Sequence, residues 1–189
     1  TAYEIRLSLV GSEMCIRDSI LLSGSMGDHG VAVMSVREGL EFETELASDC
    51  APLTELTEVL LAACAHIRWM RDPTRGGVAT ALNEAAVAAN CGIRIFERSL
   101  PVRPAVRAAC EMLGLDPLYV ANEGKLLAIV PAEKADALLS TMRGHSLGAE
   151  GAMIGEVVAD HPGMVAMKSL IGGERIVPLL SGEQLPRIC

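Results

Sequence analysis

The residue best placed to do chemistry is the last one. Cys189 closes the segment Ser181-Gly182-Glu183-Gln184-Leu185-Pro186-Arg187-Ile188-Cys189, and a thiol at a free C-terminus gains nothing from burial. A prenyl acceptor must stand four residues from the end, so that use fails. One isolated thiolate is a weak metal ligand, and no residue set in the chain reads as a metal site. A nucleophilic carrier remains, because thiolate is intrinsically strong; the plain alternative is an incidental final residue. The neighbouring α-carboxylate opposes thiolate formation, so a carrier thiol needs a partner that activates it.

Three internal runs add polar groups at useful spacing. Asp72-Pro73-Thr74-Arg75-Gly76-Gly77 opens a helical stretch. Helix N-terminal N–H groups attract anions. Paired glycines let the backbone approach a phosphate or carbamoyl oxygen, Arg75 can fork onto an oxyanion, and Asp72 can face Mg²⁺. The ordinary alternative is an N-cap with Thr74 as the capping residue; the spacing is not a Walker pattern. Ser23-Gly24-Ser25-Met26-Gly27-Asp28-His29-Gly30 is a glycine-rich strand-to-helix turn. Its Asp28 and His29 could hold substrate or shuttle a proton, or merely bond within the turn. Asn122-Glu123-Gly124-Lys125 stands before an apolar run. A partly desolvated Glu123 would titrate high and act as a base; otherwise Glu123 and Lys125 are a solvated turn. His66, His145 and His161 lack metal-type spacing and read as structural or surface. Cys15, Cys50, Cys64, Cys91 and Cys110 form no C-x-x-C pair and read as reduced thiols, mostly buried.

The elements that position these runs follow from pattern. Ile20 to Ser23 predicts a buried strand, and Val31 to Glu38 a helix. A helix from Pro52 toward His66 takes Ser48 or Asp49 as its cap. Val78, Ala81, Leu82, Ala85 and Ala89 form a narrow stripe on a Gly76–Asn90 helix. Ile93 to Phe96 and Leu126 to Val130 read as strands. Pro104 opens a helix that Gly114 stops, and Pro131 opens another. Met153–Val158, Val165–Met167 and Arg175–Val177 predict an antiparallel ending. Helices and strands that do not alternate strictly predict an α+β fold, a mixed sheet packed with helices. The domain is expected over 20–178. Residues 1–19 lack a clean period, and VGSEMCIRDS resembles translated adaptor sequence, or else a linker. Residues 179–189 are expected to be a mobile tail that carries the thiol about 36 Å from Pro178.

Composition bounds the class. At 189 residues the chain suits one domain, or one domain and a fragment of another, and buries about 70% of its unfolded surface. With 50% hydrophobic and 21% charged residues, and mean hydropathy +0.35, wholesale disorder is excluded. Apolar runs such as Val59–Ala65 fall far short of the ~20 residues of a membrane span. No secretory signal opens the chain, so a cytoplasmic location is expected. Sixteen basic against 24 acidic residues give a net charge of -8, which disfavours nucleic acid and anionic membrane. One Trp, two Tyr and two Phe do not make a base-stacking platform.

In order along the chain, SGSMGDHG (23–30), SDC (48–50), RDPTRGG (71–77), LPVRPAVRAACEMLGLDP (100–117), ANEGKL (121–126), IGEV (154–157) and the terminal PRIC (186–189) resemble the HypE family of nickel–iron hydrogenase maturation factors. PRIC is the most specific part. GDHG or TRGG alone would indicate only the wider aminoimidazole-ribotide-synthetase-like superfamily. The resemblance implies an ATP-dependent enzyme, with Mg²⁺, built from an N-terminal nucleotide-binding domain and a C-terminal α/β domain. Its terminal cysteine, here Cys189, is carbamoylated from carbamoyl phosphate by the carbamoyltransferase HypF. ATP then drives dehydration to a thiocyanate, whose cyanide passes to iron on a HypC–HypD scaffold; the full-length form is implied to be a homodimer. On that footing Glu123 is the expected base and His29 the next candidate. Arg75 with the Gly76 and Gly77 amides orients the phosphoryl group or tail. Asp28, Asp72, Thr74, Asn122 and Lys125 complete the substrate- and phosphate-binding set. No ATP-binding domain matches upstream, so this chain is expected to carry the thiol and half a cleft, without dehydrating alone. The alternatives are the C-terminal half of a selenophosphate synthetase or thiamine-phosphate kinase, and a non-catalytic carrier module.

Overall fold

A computed structural model describes residues 14–38 and 47–179. An interior strand of its sheet is β1 (Ser19–Leu22), four residues buried throughout. Antiparallel neighbours β4 (Leu127–Val130) and β5 (Ala152–Val158) flank it. Beyond them lie β2 (Trp69–Arg71) on one side and β3 (Gly92–Phe96), β6 (Val165–Lys168) and β7 (Glu174–Ile176) on the other. The order is β2-β4-β1-β5-β3-β6-β7.

Alternation along the strands splits the core into two layers. Ile20, Leu22, Ile93, Ile95, Leu127 and Ile129 pack on α3 (Gly77–Ala89), whose Val78, Leu82 and Ala85 form the facing stripe. Leu21, Ala128 and Val130 point the other way, onto Leu56 and Leu60 of α2 (Thr54–Ala63) and Leu138 and Met142 of α5 (Ala135–Arg143). A strand covered on both faces must be apolar on both, so SILL and LAIV show no polar alternation. A third cluster joins Val31 of α1 (Asp28–Glu38) to Val106, Ala109 and Cys110 of α4 (Pro104–Leu113) and to Val120. Pro104 opens α4, and left-handed Gly114 ends it.

The α+β reading agrees with this sheet, but several local expectations do not. Helix α1 starts at Asp28, not Val31, so Asp28, His29 and Gly30 are its first turn. Leu53, not Ser48 or Asp49, precedes α2, and no side chain caps it. Thr74 does not cap α3; Gly76 stands there in the left-handed region at φ 72°. Pro131 leads into a 3₁₀ turn before α5 begins. Of the last three strands β6 and β7 pair antiparallel as expected, but β5 and β6 lie on opposite sides of β3, and β6 runs parallel to β3. Parallel pairing needs a partner distant in sequence, which local pattern does not reveal. Strand β2, three residues long, is too short to show a period. The ladder also starts before Ile20. Arg17 N–H donates to Val157 O, and Val157 N–H donates to Asp18 O, both at 2.8 Å. Among the described residues no helix is long and apolar enough to cross a membrane.

Candidate functional site

Three of the polar runs meet at Asn122. Its side chain is fully buried and uses its whole amide. Oδ1 accepts from Gly27 N–H at 2.7 Å, while Nδ2 donates to Val120 O at 2.9 Å and Pro73 O at 3.3 Å. Backbone bonds follow the same route, Gly30 N–H to Ala121 O at 3.1 Å and Asn122 N–H to Pro73 O at 3.2 Å. The 23–30, 72–77 and 121–125 segments therefore form one wall. Asn122 acts there as its stitch, since a buried amide is costly unless every group is bonded.

The glycines at the start of α3 also have work inside the chain. Gly77, at φ 62°, leaves room for Leu118 O and Val120 O, which a Cβ would approach to 2.5 and 2.6 Å. Its N–H donates to Thr74 O at 3.1 Å. Closeness at this turn is thus already used by the chain's own 117–120 segment. Arg75 and Asp72 are exposed beside it, and Thr74 is half-buried.

Around the 23–30 turn lies a charged network. Asp28 is buried, with Ser25 Oγ donating to its Oδ2 and Arg103 Nη1 3.4 Å from Oδ1. Arg103 Nη2 also donates to Glu150 Oε2 at 2.9 Å. That bond, helped by Ser25 and Lys125, holds the Glu150 carboxyl below its ordinary range and raises Arg103 in turn. Lys125 Nζ lies 2.7 Å from Asp49 Oδ2, and both side chains are about nine-tenths buried. His29 Nδ1 is 2.8 Å from Ser48 Oγ. Glu123 is half-buried between Asn122 and Gly124. Of the expected residues, Asp28, His29, Asn122, Glu123 and Lys125 thus share one wall with the Asp72–Gly77 turn. Cys189 lies outside the described residues. Sequence reasoning did not single out Ser25, Asp49, Arg103 or Glu150. Ser48 and Asp49 were read only as helix-cap candidates and as part of SDC, and Arg103 and Glu150 are 47 residues apart.

The chain's approach to its end is fixed. Asn83 Nδ2 donates to Val177 O, and Tyr119 Oη donates to Pro178 O, both at 2.9 Å. Tyr119 also belongs to the segment that packs on Gly77, so the root of the last residues stands close to the wall. Among the described residues no group of three or more His, Cys, Asp or Glu could hold a metal ion.

Residues 18–168 match the family model described as AIR synthase related protein, C-terminal domain. The chain is 57% identical over 183 residues to carbamoyl dehydratase HypE of Azotobacter vinelandii, covering 97% of this chain and 54% of that protein. A crystal structure of hydrogenase maturation protein HypE in complex with ATP superposes with TM-score 0.88 at 45% identity, over 94% of this chain and 54% of that one. A HypE–HypF complex superposes with TM-score 0.83 at 43% identity, over 87% and 53%. The chain spans about half the length of the relatives it matches.

Proposed function

The chain belongs to the family of the AIR synthase related C-terminal domain, and from that membership we propose that it is the thiol-bearing half of a carbamoyl dehydratase that makes cyanide for nickel–iron hydrogenase maturation. The observation that carries the reading is the wall stitched by Asn122, in a chain 57% identical to a carbamoyl dehydratase HypE.

In this reading Cys189 Sγ holds a carbamoyl group, S–C(=O)–NH₂. A carboxamide oxygen is a poor leaving group, so ATP, when bound, supplies the phosphoryl group that makes it one. Phosphate leaves with that oxygen, two N–H protons are lost, and S–C≡N remains with ADP. Glu123 takes a proton from nitrogen, and its position beside buried Asn122 fixes its distance from the wall. Arg75, exposed at the head of α3, steadies the anionic oxygens or the tail. Asp28 and Lys125 are held by Arg103 and Asp49, so they shape the wall's charge. The described residues fit one side of a nucleotide cleft. They gather no set that would hold Mg²⁺, and no step here runs through it. HypF would load the thiol, and a HypC–HypD scaffold would receive the cyanide; the whole protein would work as a homodimer.

The test is mass spectrometry of the Cys189 peptide, with the nucleotide-binding half of the protein present. Carbamoylated Cys189 should lose one water on addition of ATP and Mg²⁺, and Glu123→Gln should slow that loss by about 10²-fold or more. An ATP-independent loss, or hydrogenase cyanide delivered undiminished by Cys189→Ser, overturns the reading.

A further inference from the structure

Residues 47–50 run as a strap between two loops of the wall. Ser48 reaches the 23–30 loop through His29 Nδ1, at 2.8 Å. Asp49 reaches the 122–125 loop through Lys125 Nζ, at 2.7 Å. The strap also lies on Gly124, where a Cβ would overlap the Asp49 carbonyl oxygen. Its height over the wall is therefore set by the Asp49–Lys125 pair and by a missing side chain, independently of Ser48.

The hydrogen bonds at Ser48 bear on a proton position. Ser48 Oγ already accepts from Cys50 N–H at 3.2 Å. Its own hydroxyl proton can go to His29 Nδ1, 2.8 Å away, or to solvent, because Ser48 is exposed. A ring that accepts at Nδ1 carries its proton on Nε2 when neutral. His29 Nε2 is buried and has no hydrogen-bond partner among the described residues. A buried polar atom left unbonded calls for a reason in a folded protein, a catalytic role or a bound group among them.

We propose that Ser48 is a positioning residue that donates to His29 Nδ1 and so leaves the ring proton on Nε2, where His29 offers the cleft an N–H donor for an anionic oxygen. The assignment deepens the cleft reading above and rests on the 23–30 loop being part of that cleft. The ligand it implies is a carboxamide or phosphoryl oxygen, the atom on which charge develops during dehydration. Proton abstraction then falls to Glu123, and His29 takes no proton from the substrate. The Asp49–Lys125 pair acts through Ser48 by keeping the strap seated.

Imidazole nitrogen NMR of the 189-residue chain at mildly alkaline pH tests this. In the wild type, His29 Nε2 should resonate as a protonated, pyrrole-type nitrogen and Nδ1 as a hydrogen-bonded, pyridine-type one. Ser48→Ala should move Nδ1 to its unbonded position, and Ser48→Thr, which keeps the hydroxyl, should restore it. Asp49→Asn should shift Nδ1 in the same direction as Ser48→Ala. A proton on Nδ1 in the wild type, or an Nδ1 signal that Ser48→Ala leaves in place, overturns the assignment. The readout is the ring itself, so failure of the dehydration reading would show separately, at the Cys189 peptide.

Discussion

Asn122 bonds to Gly27, Pro73 and Val120 from a fully buried position, so its removal reaches three loops at once. Asn122→Ala leaves the Gly27 N–H without an acceptor and two carbonyls short of a donor. At roughly 1–3 kcal/mol for a stranded buried group, we expect about 3 kcal/mol of lost stability, read from the urea midpoint. Asn122→Asp should do worse, because it turns a carboxylate oxygen toward the Pro73 and Val120 carbonyls. A loss under about 0.5 kcal/mol for either would mean that water replaces the amide. Glu150 allows a test by pH. Its carboxyl is held below the ordinary 4.5, first by the Arg103 hydrogen bond. A group with a lowered folded pKa stabilises the fold above its unfolded value and loses that contribution as pH falls through the folded one. Glu150→Gln should therefore cost stability at neutral pH, and the gap to wild type should close below about pH 4.5. A gap that is constant from pH 7 to pH 3 would show that the Arg103 bond carries no electrostatic weight. At this scale the sequence revealed which runs held the polar groups, because glycine and charge cluster there. It could not reveal that Asn122 turns inward or that Arg103 bridges Asp28 and Glu150, since those bonds join residues far apart in the chain.

Helix α3 shows how an element is positioned by what it lacks. Gly76 and Gly77 are both left-handed, and Gly77 lies against the Leu118 and Val120 carbonyls. Gly114 ends α4 at φ 67°, and a Cβ placed there would meet nothing within 4 Å. The two sites separate backbone strain from collision. Gly114→Ala should cost only the left-handed penalty, about 1–2 kcal/mol. Gly77→Ala should cost that and the displacement of the 117–120 segment, roughly twice as much. Thermal unfolding of both variants checks the difference, and equal losses would show that the 117–120 segment yields freely. The alanine stripe of α3, the Pro104 start of α4 and the buried runs of β1 and β4 were legible because each obeys a local rule. The parallel pairing of β3 with β6 obeys none, and β2 exists because Trp69 and Met70 find a free edge beside β4. Register of that kind is decided by tertiary packing.

Across the whole molecule, the proposed chemistry asks that one thiol among six be loaded, and burial supplies part of that selection. Cys64 and Cys110 are buried, Cys91 is half-buried, and Cys15 and Cys50 are exposed. Burial pushes the Cys110 thiol up to about 11, so at neutral pH only about one molecule in 10⁴ carries its thiolate. The thiolate is the reactive form, and Cys110 is therefore protected by both protonation and exclusion. It sits in the cluster that joins α1 to α4, behind the 23–30 turn, while Cys64 sits in the opposite layer with α2 and α5. Their protection should fail together only when the α1–α4 cluster and the α2–α5 layer open in one step. Brief alkylation at pH 7, followed by mass spectrometry, should label Cys15 and Cys50 in the native chain and leave Cys64 and Cys110 unlabelled. With added urea, labelling of Cys64 and Cys110 should rise in parallel and follow the global unfolding curve. If Cys110 is labelled well before Cys64, the α1–α4 cluster opens on its own, and the wall that carries His29 and Asp28 is a separate, weaker unit of the fold.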